Sequence, residues 1–430
     1  MYAVIGAGPM GLATARNLNK YDIPFIGFDL NSDVGGLWDI DNPHSTMYQS
    51  AHLISSKGMT EFSEFPMPDE VATYPHHSEM KRYFQSYARH FNLYRHYEFS
   101  TRVVRVERNG DGWQITTERD GETQSRYFDG VLIANGTLHT PNQPSLPGKF
   151  EGELMHSCDY RDAAVFDGKR VLIVGCGNSA CDIAVDAVHR AASVDLSVRR
   201  GYYFLPKFIG GKPTDSIGGK LKLPRGLKQR LDARLIRLIV GKPSDYGLPE
   251  PSYRMDESHP VINSLVLHHL GHGDITPHGD IVGVVGDTVT FADGQSRVYD
   301  LVLMATGYKL DYPFIDASEL NWHNADAPQL YLNVFHPQNR NLFMMGMVEA
   351  AGLGWEGRNE QAEMVALYIK ARQNKHPEAD KLEKKASVEA GQTLDGGFDY
   401  LKLERMAYYV HKDSYRKAVN AHIADLKQGV

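Results

Sequence analysis

The sequence has little cysteine, no long apolar run and no strong excess of one charge. Only three cysteines, Cys158, Cys176 and Cys181, occur among 430 residues, which excludes a disulfide-built scaffold and favours a reducing compartment. No apolar run reaches the length of a membrane span, and we expect no signal peptide, because a buried-strand pattern opens the sequence. The net charge of −7 gives no reason to expect a nucleic-acid surface. We therefore expect a cytoplasmic protein.

Metal-site and hydrolase motifs are also missing. Histidine is abundant, with 19 residues, yet the sequence contains neither an H-E-x-x-H segment nor a Cys/His quartet. It contains no G-x-S-x-G nucleophile elbow. We interpret the histidines, including HHLGHGD at 268–274, as structural and surface residues, and we expect no metal.

The N-terminal stretch is typical of a dinucleotide site. Residues 3–5 predict a short buried strand, and Gly6, Gly8 and Gly11 then form G-x-G-x-x-G before an alanine- and leucine-rich helix pattern. These glycines allow a tight turn, close approach to a pyrophosphate and close packing of helix on strand. Asp29 ends the next strand pattern, where a carboxylate binds ribose hydroxyls. This site favours FAD or NAD.

A second glycine motif follows the strand pattern at 171–174. Gly175 and Gly177 are followed by Ala180, which is the small residue allowed at the third position. The next strand pattern ends in Arg199–Arg200, where a dinucleotide site for NAD would carry an acid. Arginine can pair with the 2′-phosphate of NADP, so we expect this second site to bind NADP(H).

The stretch KFEGELMHSCDYRD, residues 149–162, lies between the two motifs. Its Phe150, Gly152, His156 and Tyr160 match the pattern F-x-G-x-x-x-H-x-x-x-(Y or F), so the chain resembles the flavin-containing monooxygenases, which are class B flavoprotein monooxygenases. The resemblance covers most of the chain. Further matching segments are GGLW at 35–38, SSKGMTEFSEFPMP at 55–68, GCGNSACDIA at 175–184, HPVIN at 259–263 and ATGY at 305–308.

The resemblance implies an α/β fold with two Rossmann-like domains, in which the NADPH domain is inserted into the FAD domain. We expect the first part of the FAD domain over 1–150, the NADPH domain over 151–298, and the second part of the FAD domain, with C-terminal helices, over 299–430. It further implies that the segment with His156 and Tyr160 links the two domains. From the residues alone, a structural histidine is the better interpretation of His156.

The resemblance also implies an NADPH- and O2-dependent monooxygenase, in which a C4a-hydroperoxyflavin oxygenates a soft nucleophile such as an amine or a sulfide. Tyr160 favours this branch, since Baeyer–Villiger relatives carry tryptophan there; Baeyer–Villiger oxidation of ketones is the alternative. Ile54 stands where many members have an asparagine beside the flavin, which leaves an uncoupled NADPH oxidase open. His52 is a candidate for that polar role.

Two other classes of protein share the dinucleotide motifs. A disulfide reductase needs a C-x-x-C pair near the flavin, whereas Cys176 and Cys181 are spaced C-x-x-x-x-C. A nucleotide-sensing protein without catalysis would carry a flavin that NADPH cannot reduce. We expect neither. The sequence does not identify the small-molecule substrate. We expect the protein to form a homodimer.

The stretch from Lys220 to Lys242 is basic and amphipathic, with Leu227, Leu231 and Leu235 four residues apart. It could touch a membrane surface. We favour a surface helix that packs on the NADPH domain or a partner subunit, and we do not expect membrane association.

The predicted site residues fall into three groups. Site-architecture residues are His52, Ile54, His156 and Tyr160. The predicted FAD-binding residues are Gly6, Gly8, Pro9, Met10, Gly11, Asp29, Gly36, Leu37, Trp38, Val103, Ala134, Thr306, Gly307 and Gln361. The predicted NADPH-binding residues are Gly175, Gly177, Asn178, Ser179, Ala180, Arg199 and Arg200.

Overall fold

The computed structural model describes residues 1–217 and 224–429. Its contacts divide the chain into two compact units. The first unit contains residues 1–45, 57–140 and 309–430, and the second contains residues 46–56 and 141–308. The chain passes from the first unit to the second at 140/141 and returns at 308/309, rather than at 150 and 298. The short excursion over 46–56 is an addition that the sequence did not indicate.

The strands are short, as is usual for α/β proteins. In chain order they are β1 Tyr2–Ile5, β2 Phe25–Phe28, β3 Tyr97–Glu98, β4 Arg102–Asn109, β5 Gly112–Arg119, β6 Glu122–Phe128, β7 Gly130–Ile133, β8 Thr140–Pro141, β9 Gly148–Phe150, β10 Glu153–His156, β11 Arg170–Val174, β12 Ser193–Ser197, β13 Phe208–Ile209, β14 Lys212–Pro213, β15 Ile275–His278, β16 Ile281–Gly286, β17 Thr288–Phe291, β18 Ser296–Val298, β19 Leu301–Met304, β20 Tyr308–Lys309 and β21 Leu342–Met344.

The helices are longest near the C-terminus. They are α1 Pro9–Lys20, α2 Lys57–Thr60, α3 His77–His90, α4 Asn178–Val188, α5 Arg225–Val240, α6 Leu265–His272, α7 Gly354–Gln373, α8 Pro377–Glu389 and α9 Lys412–Leu426.

The first unit is built on a parallel sheet in the order β21-β7-β1-β2-β3. β1 and β7 are buried at every position, as expected for parallel strands that are covered on both faces. An antiparallel sheet of β4, β5 and β6 accompanies it. Asn109 pairs with Gly112, so the NGDG turn at 109–112 closes this hairpin.

The second unit repeats the parallel design in the order β10-β19-β11-β12-β15. Its core contains Val171, Ile173, Leu301 and Leu303, and helix α4 adds Ile183. A smaller sheet in the order β18-β17-β16-β9 carries a second apolar cluster. The predicted α/β fold class, with two parallel dinucleotide-type sheets, is confirmed.

Helix α5 packs on the second unit, which is one of the two supports that we expected for it. Leu227, Leu231 and Leu235 are exposed, whereas Gln229 and Ile236 are buried. The helix therefore packs on the second unit through the face opposite the leucines. The beginning of the basic stretch, residues 220–223, lies outside the described residues. Within the described ranges, no helix is long and apolar enough to cross a bilayer.

Candidate functional site

The glycine loop of the first unit connects β1 to α1. Gly6 has φ +108°, and a Cβ there would collide with the carbonyl oxygen of Ala134. A Cβ on Gly11 would collide with the carbonyl oxygen of Gly6. Pro9 occupies the first helical position of α1, where its missing N–H is not needed. The fold itself thus requires glycine at two of the three motif positions.

Gly8 is the glycine that packing leaves free. It caps α1 with φ −69° and ψ −176°, which any residue can adopt. A Cβ on Gly8 would meet only Gly36, whose Cα lies 3.6 Å away. Because the helix N-terminus offers unpaired N–H groups at this point, the bare backbone of Gly8 leaves room for a phosphate. This geometry fits a dinucleotide pyrophosphate.

Asp29 follows β2 directly and is buried. Its carboxylate accepts hydrogen bonds from the backbone N–H of Ala7 at 2.5 Å and of Asn31 at 2.8 Å. Burial raises the pKa of Asp29, while these two hydrogen bonds act to lower it. The carboxylate therefore lies against the glycine loop, where the carbonyl-side ends of β1 and β2 meet, and it fixes the loop to the second strand.

The segment GGLW forms a turn against the same loop. A Cβ on Gly36 would be 3.0 Å from the Cα of Gly8, so the two backbones are nearly in contact. The carbonyl oxygen of Leu37 accepts a hydrogen bond from the Ser45 hydroxyl. The Trp38 ring lies edge-on to another tryptophan ring, with 6.3 Å between centroids. This turn completes a backbone-lined cradle.

Other predicted residues of the first unit lie at neighbouring strand ends. Ala134 follows β7 and donates its N–H to the Ile5 carbonyl at 2.8 Å, and Val103 is partly buried in β4 beside the apolar core. Gln361 is fully buried; its Oε1 accepts from the Gly346 N–H at 2.8 Å. A Cβ on Gly346 would lie 2.8 Å from Cγ of Met10. Gly346 was missed by sequence reasoning, although its place after a strand pattern was a signal.

The glycine loop of the second unit connects β11 to α4. Gly175 has φ +119°, and a Cβ there would lie 2.5 Å from the Ala305 carbonyl oxygen. Gly177 caps α4 with φ −80° and ψ −178°, and a Cβ on it would meet no atom within 4 Å. Ser179 is exposed and Ala180 is buried. The open space over Gly177 is a second phosphate-sized cradle at a helix N-terminus.

Asn178 differs from the other residues of that loop. Its Oδ1 accepts from the Ile262 N–H at 2.7 Å, and its Nδ2 donates to the Pro260 carbonyl at 3.5 Å. Both polar ends of the side chain are therefore bonded to the HPVIN segment. The structure assigns Asn178 a role in fixing that segment beside α4.

The arginine pair lies just after β12, which ends at Ser197. Arg199 is exposed, and Arg200 is partly buried. Nε of Arg200 donates to the Tyr202 hydroxyl at 3.1 Å, and its guanidinium lies 5.1 Å from the centre of that ring. Both cations thus follow the strand next to the glycine-loop strand, as an NADP site requires.

The segment from Phe150 to Tyr160, which we call the fingerprint, begins at the end of β9 and continues through a bend into β10. Gly152 lies in the bend, where a Cβ would be 2.6 Å from Cζ of Phe150. His156 ends β10 and is buried; its Nδ1 accepts from the Cys158 N–H at 3.1 Å. Burial lowers the pKa of His156, although Asp159 and the Gly307 carbonyl oppose that shift. The histidine is thus a structural group at the end of a strand.

Tyr160 is fully buried and donates its hydroxyl to Oδ2 of Asp186 at 2.8 Å. Ser50 donates to the same carboxylate oxygen. One turn earlier on α4, Asp182 accepts from the Tyr48 hydroxyl at 3.1 Å. The two carboxylates therefore bind the excursion over 46–56, and one of them also binds the fingerprint.

Asp182 is held by further polar groups. Nδ2 of Asn263 donates to it at 2.6 Å. Burial raises the pKa of Asp182, and the charge of Lys207 opposes this shift; burial lowers the pKa of Lys207. Sequence reasoning missed these residues. The only signals were the carboxylates inside GCGNSACDIAVD, four residues apart on one helix face.

The remaining predicted residues lie in the second unit. His52 is exposed, and its Nδ1 is 2.8 Å from the Ser50 carbonyl oxygen; Ile54 is partly buried. Thr306 donates to the Asn142 carbonyl at 2.5 Å, and the Gly307 carbonyl accepts from the Asn142 N–H at 2.9 Å. Thr306 and Gly307 thus belong to the second unit, whereas the other predicted FAD-binding residues lie in the first.

The cysteines do not form a redox pair in this structure. Sγ of Cys176 lies 3.9 Å from Sγ of Cys181, and both side chains are buried and free. The pKa of Cys181 is raised well above its usual value by its hydrogen bond with Cys176 and by burial. A thiol with a raised pKa is a poor nucleophile at neutral pH, which disfavours the disulfide-reductase alternative.

Comparison with known proteins supports the class of protein that the sequence resembles. The model of the family described as flavin-binding monooxygenase-like matches residues 1–424. Flavin-containing monooxygenase 5 of Cavia porcellus is 32 % identical over 375 residues, which cover 81 % of this chain and 69 % of that protein. The chain belongs to the flavin-binding monooxygenase-like family.

Solved structures share the fold. S-allyl-L-cysteine S-oxygenase from Allium sativum aligns with a TM-score of 0.67 at 20 % identity, covering 98 % of this chain and 88 % of that one. A cyclohexanone monooxygenase mutant from Rhodococcus, bound to NADP⁺, aligns with a TM-score of 0.75 at 20 % identity, covering 100 % and 98 %. At this identity the two structures support the fold alone. The family, the enzyme class and the cofactors FAD and NADPH predicted from the sequence are confirmed: the chain is a flavin-dependent monooxygenase that acts with O2 on a small molecule.

Proposed function

We propose that this monooxygenase transfers one oxygen atom to a soft nucleophile, the nitrogen of an amine or the sulfur of a thioether. The first unit would hold FAD, and the second would hold NADPH. When bound, FAD supplies the redox chemistry, taking a hydride from NADPH and activating O2, so that one oxygen atom reaches the substrate and the other leaves as water. The protein's own groups bind, orient and shield.

The backbone cradle of the first unit supports its role toward FAD. Gly8 and Gly36 leave only backbone at the N-terminus of α1, so N–H groups would face the pyrophosphate. Asp29 would accept from the ribose hydroxyls, since a carboxylate in this place is the usual ribose partner. Gln361 supports the cradle indirectly, because it fixes the Gly346 turn that packs on Met10.

The second unit offers the matching set for NADPH. Gly177 leaves open space at the N-terminus of α4 for the pyrophosphate. Arg199 and Arg200 would pair with the 2′-phosphate by charge-assisted hydrogen bonds. Asn178 is already bonded at both ends, so we assign it to the support of the loop and not to the phosphate.

The observation that carries the N- or S-oxygenation proposal is Tyr160. Its hydroxyl is buried and bonded to Asp186, and the ring stacks on Phe166 with 5.3 Å between centroids. A tryptophan at this position would lack the hydroxyl that makes this bond. The fingerprint tyrosine is thus an integral part of the second unit and marks the branch that the sequence favoured.

Substrate competition tests this proposal. The purified holoenzyme is given NADPH, O2 and either an aryl alkyl thioether, a tertiary amine or a cyclic ketone, and products are counted against NADPH consumed. We expect sulfoxide or N-oxide to form and ester to be absent. Ester from the ketone as the main product would replace the proposal with Baeyer–Villiger oxidation.

Ile54 favours a second candidate, the uncoupled NADPH oxidase. An apolar side chain cannot donate the hydrogen bond that the family asparagine provides, so much of the activated oxygen would leave as hydrogen peroxide. The Ile54→Asn variant should lower the fraction of NADPH electrons found in peroxide, and Ile54→Val should not. Equal peroxide fractions in both variants and the parent enzyme would mean that Ile54 does not cause the release of peroxide.

Rapid mixing separates the same alternatives without a substrate. The flavin is reduced anaerobically by NADPH, mixed with oxygenated buffer and followed by absorbance. A transient spectrum that lasts for seconds supports the monooxygenase, whereas direct return to oxidised flavin supports the oxidase. A cytoplasmic location and a homodimer remain part of this proposal.

A further inference from the structure

Helix α5 carries a row of leucines that points away from the second unit. We call Leu227, Leu231, Leu235 and Leu238 the leucine stripe. Their side chains are 48 %, 43 %, 54 % and 85 % exposed. At about 100° per residue, the four fall within an arc of about 80° on the helix. Single exposed leucines are ordinary, but a continuous exposed row on one helix marks an interaction surface.

The helix is anchored by its opposite face. Gln229 is buried, and its Nε2 donates to the Met255 carbonyl at 2.8 Å. Ile236 is buried as well, and Val240 packs against the core of the second unit. The leucine stripe is therefore exposed on a helix whose other face is packed against the second unit.

Cations border the leucine stripe. Helix α5 contains five arginine and lysine side chains and one acidic residue, Asp232, which pairs with Lys228. Arg230, Arg234 and Arg237 fall on one flank of the stripe, and all three are exposed. Arg237 also approaches Glu250, at 3.4 Å. An apolar row with basic flanks matches an amphipathic helix that lies in the plane of an anionic membrane surface.

The charge of the flanks favours a membrane surface over a second copy of the chain as the partner of the leucine stripe. In a two-fold symmetric pair the same patch meets itself, and when the two helices run antiparallel the arginine flank of one helix faces the arginine flank of the other. Like charges at that distance are unfavourable. A lipid surface accepts both features: arginine stems lie along the acyl boundary while their head groups reach lipid phosphates.

We propose that α5 is an interfacial helix, which places the leucine stripe in the surface of a membrane rich in anionic lipid. This reverses the interpretation favoured from the sequence. That interpretation placed the helix on the NADPH domain or on a partner subunit. The structure packs it on the second unit through Gln229 and Ile236, which leaves the leucines exposed. The binding is peripheral and requires no membrane-spanning helix.

Vesicle flotation of the full-length holoenzyme tests this. The probes are vesicles of equal parts phosphatidylcholine and phosphatidylglycerol, and vesicles of phosphatidylcholine alone. The test variant replaces Leu231, Leu235 and Leu238 with glutamine. The matched control makes the same replacement at Leu154 and Leu265. These two leucines are 55 % and 59 % exposed elsewhere on the second unit.

We expect the holoenzyme to float with the anionic vesicles. The partition coefficient of the stripe variant should be lower by a factor of roughly ten or more. The control variant should float like the parent. Arg230→Gln and Arg234→Gln should each reduce partitioning about fivefold, and high salt should reduce it further. No flotation of the parent, or equal flotation of the stripe and control variants, would overturn the proposal.

A second measurement covers a stripe variant that fails to fold. Leu238→Cys carrying an environment-sensitive dye should show a blue-shifted emission with anionic vesicles, whereas Leu265→Cys with the same dye should not. Sedimentation without lipid adds the remaining outcome: a parent dimer that the Leu238 label or the stripe variant converts to monomer would identify the stripe as a subunit contact and overturn the membrane proposal.

Discussion

Two glycine-to-alanine substitutions separate the FAD site from the NADPH site. Gly8 and Gly177 occupy equivalent places, each the N-cap of the helix after a glycine loop, and both have extended backbone angles that alanine adopts freely. A Cβ on Gly8 meets only the backbone of Gly36, with its nearest atom at 3.6 Å, and a Cβ on Gly177 meets nothing within 4 Å. Both proteins should therefore fold, with stability within about 1 kcal/mol of the parent.

The expected cost lies in the cofactor. A methyl group at either position stands where a phosphate approaches the backbone N–H groups. Losing one charge-assisted hydrogen bond costs about 1.5–3 kcal/mol, which is roughly a 10- to 150-fold loss of affinity. Gly8→Ala should weaken FAD binding by that factor, and Gly177→Ala should raise the KM for NADPH by that factor.

Three measurements check the pair. Flavin content is read from the absorbance of the released cofactor, FAD affinity by titration of apoprotein, and the KM for NADPH from NADPH consumption at saturating FAD. Gly58→Ala is the matched control, since a Cβ on Gly58 also meets nothing within 4 Å. If Gly8→Ala raised the KM for NADPH and kept its flavin, or Gly177→Ala lost flavin, the assignment of the two loops would be wrong.

Further predictions concern selectivity, architecture and pH. Replacing Arg199 and Arg200 with alanine should raise the KM for NADPH roughly tenfold or more and leave that for NADH nearly unchanged; equal effects would contradict the 2′-phosphate assignment. In a double-mutant cycle of thermal unfolding, Tyr160→Phe and Asp186→Asn should couple by about 1.5–3 kcal/mol, whereas additive effects would mean that their hydrogen bond contributes nothing. Burial lowers the pKa of His336 to about 4, and its Nδ1 accepts from two backbone N–H groups. Because the folded-state pKa of His336 is depressed, its neutral imidazole contributes to the free energy of unfolding in full above pH 6.5. That contribution is lost as the pH falls toward 4, by up to about 3 kcal/mol. His336→Asn should flatten that part of the profile of unfolding free energy against pH, and an unchanged profile would refute this origin.

The fold was predictable where local chemistry and tertiary structure agree. The loops around Gly6 and Gly175 have positive φ and no room for a side chain, so glycine is required whatever binds there. Asp29 was recognisable because it ends a buried strand at the spacing that the motif predicts. These features depend on residues close together in sequence.

What the sequence left undetermined depends on distant pairs. Nothing near Asp186 indicates that it binds both Ser50 and Tyr160, because those partners approach only when the chain returns to α4. The sequence also left open which face of α5 is buried, for a related reason. Periodicity identifies an apolar face, but the choice of the buried face was decided by Gln229 and its bond to a distant carbonyl.

The excursion over residues 46–56 has a consequence for engineering. An exchange of nicotinamide modules between relatives that moved only 141–308 would leave Tyr48 and Ser50 behind, and they would come from a different parent than Asp182 and Asp186. The hydrogen bonds from the Tyr48 and Ser50 hydroxyls to the two carboxylates would then join residues of different parents. A chimera designed from this structure should transplant both pieces of the second unit, so that it needs four splice points rather than two.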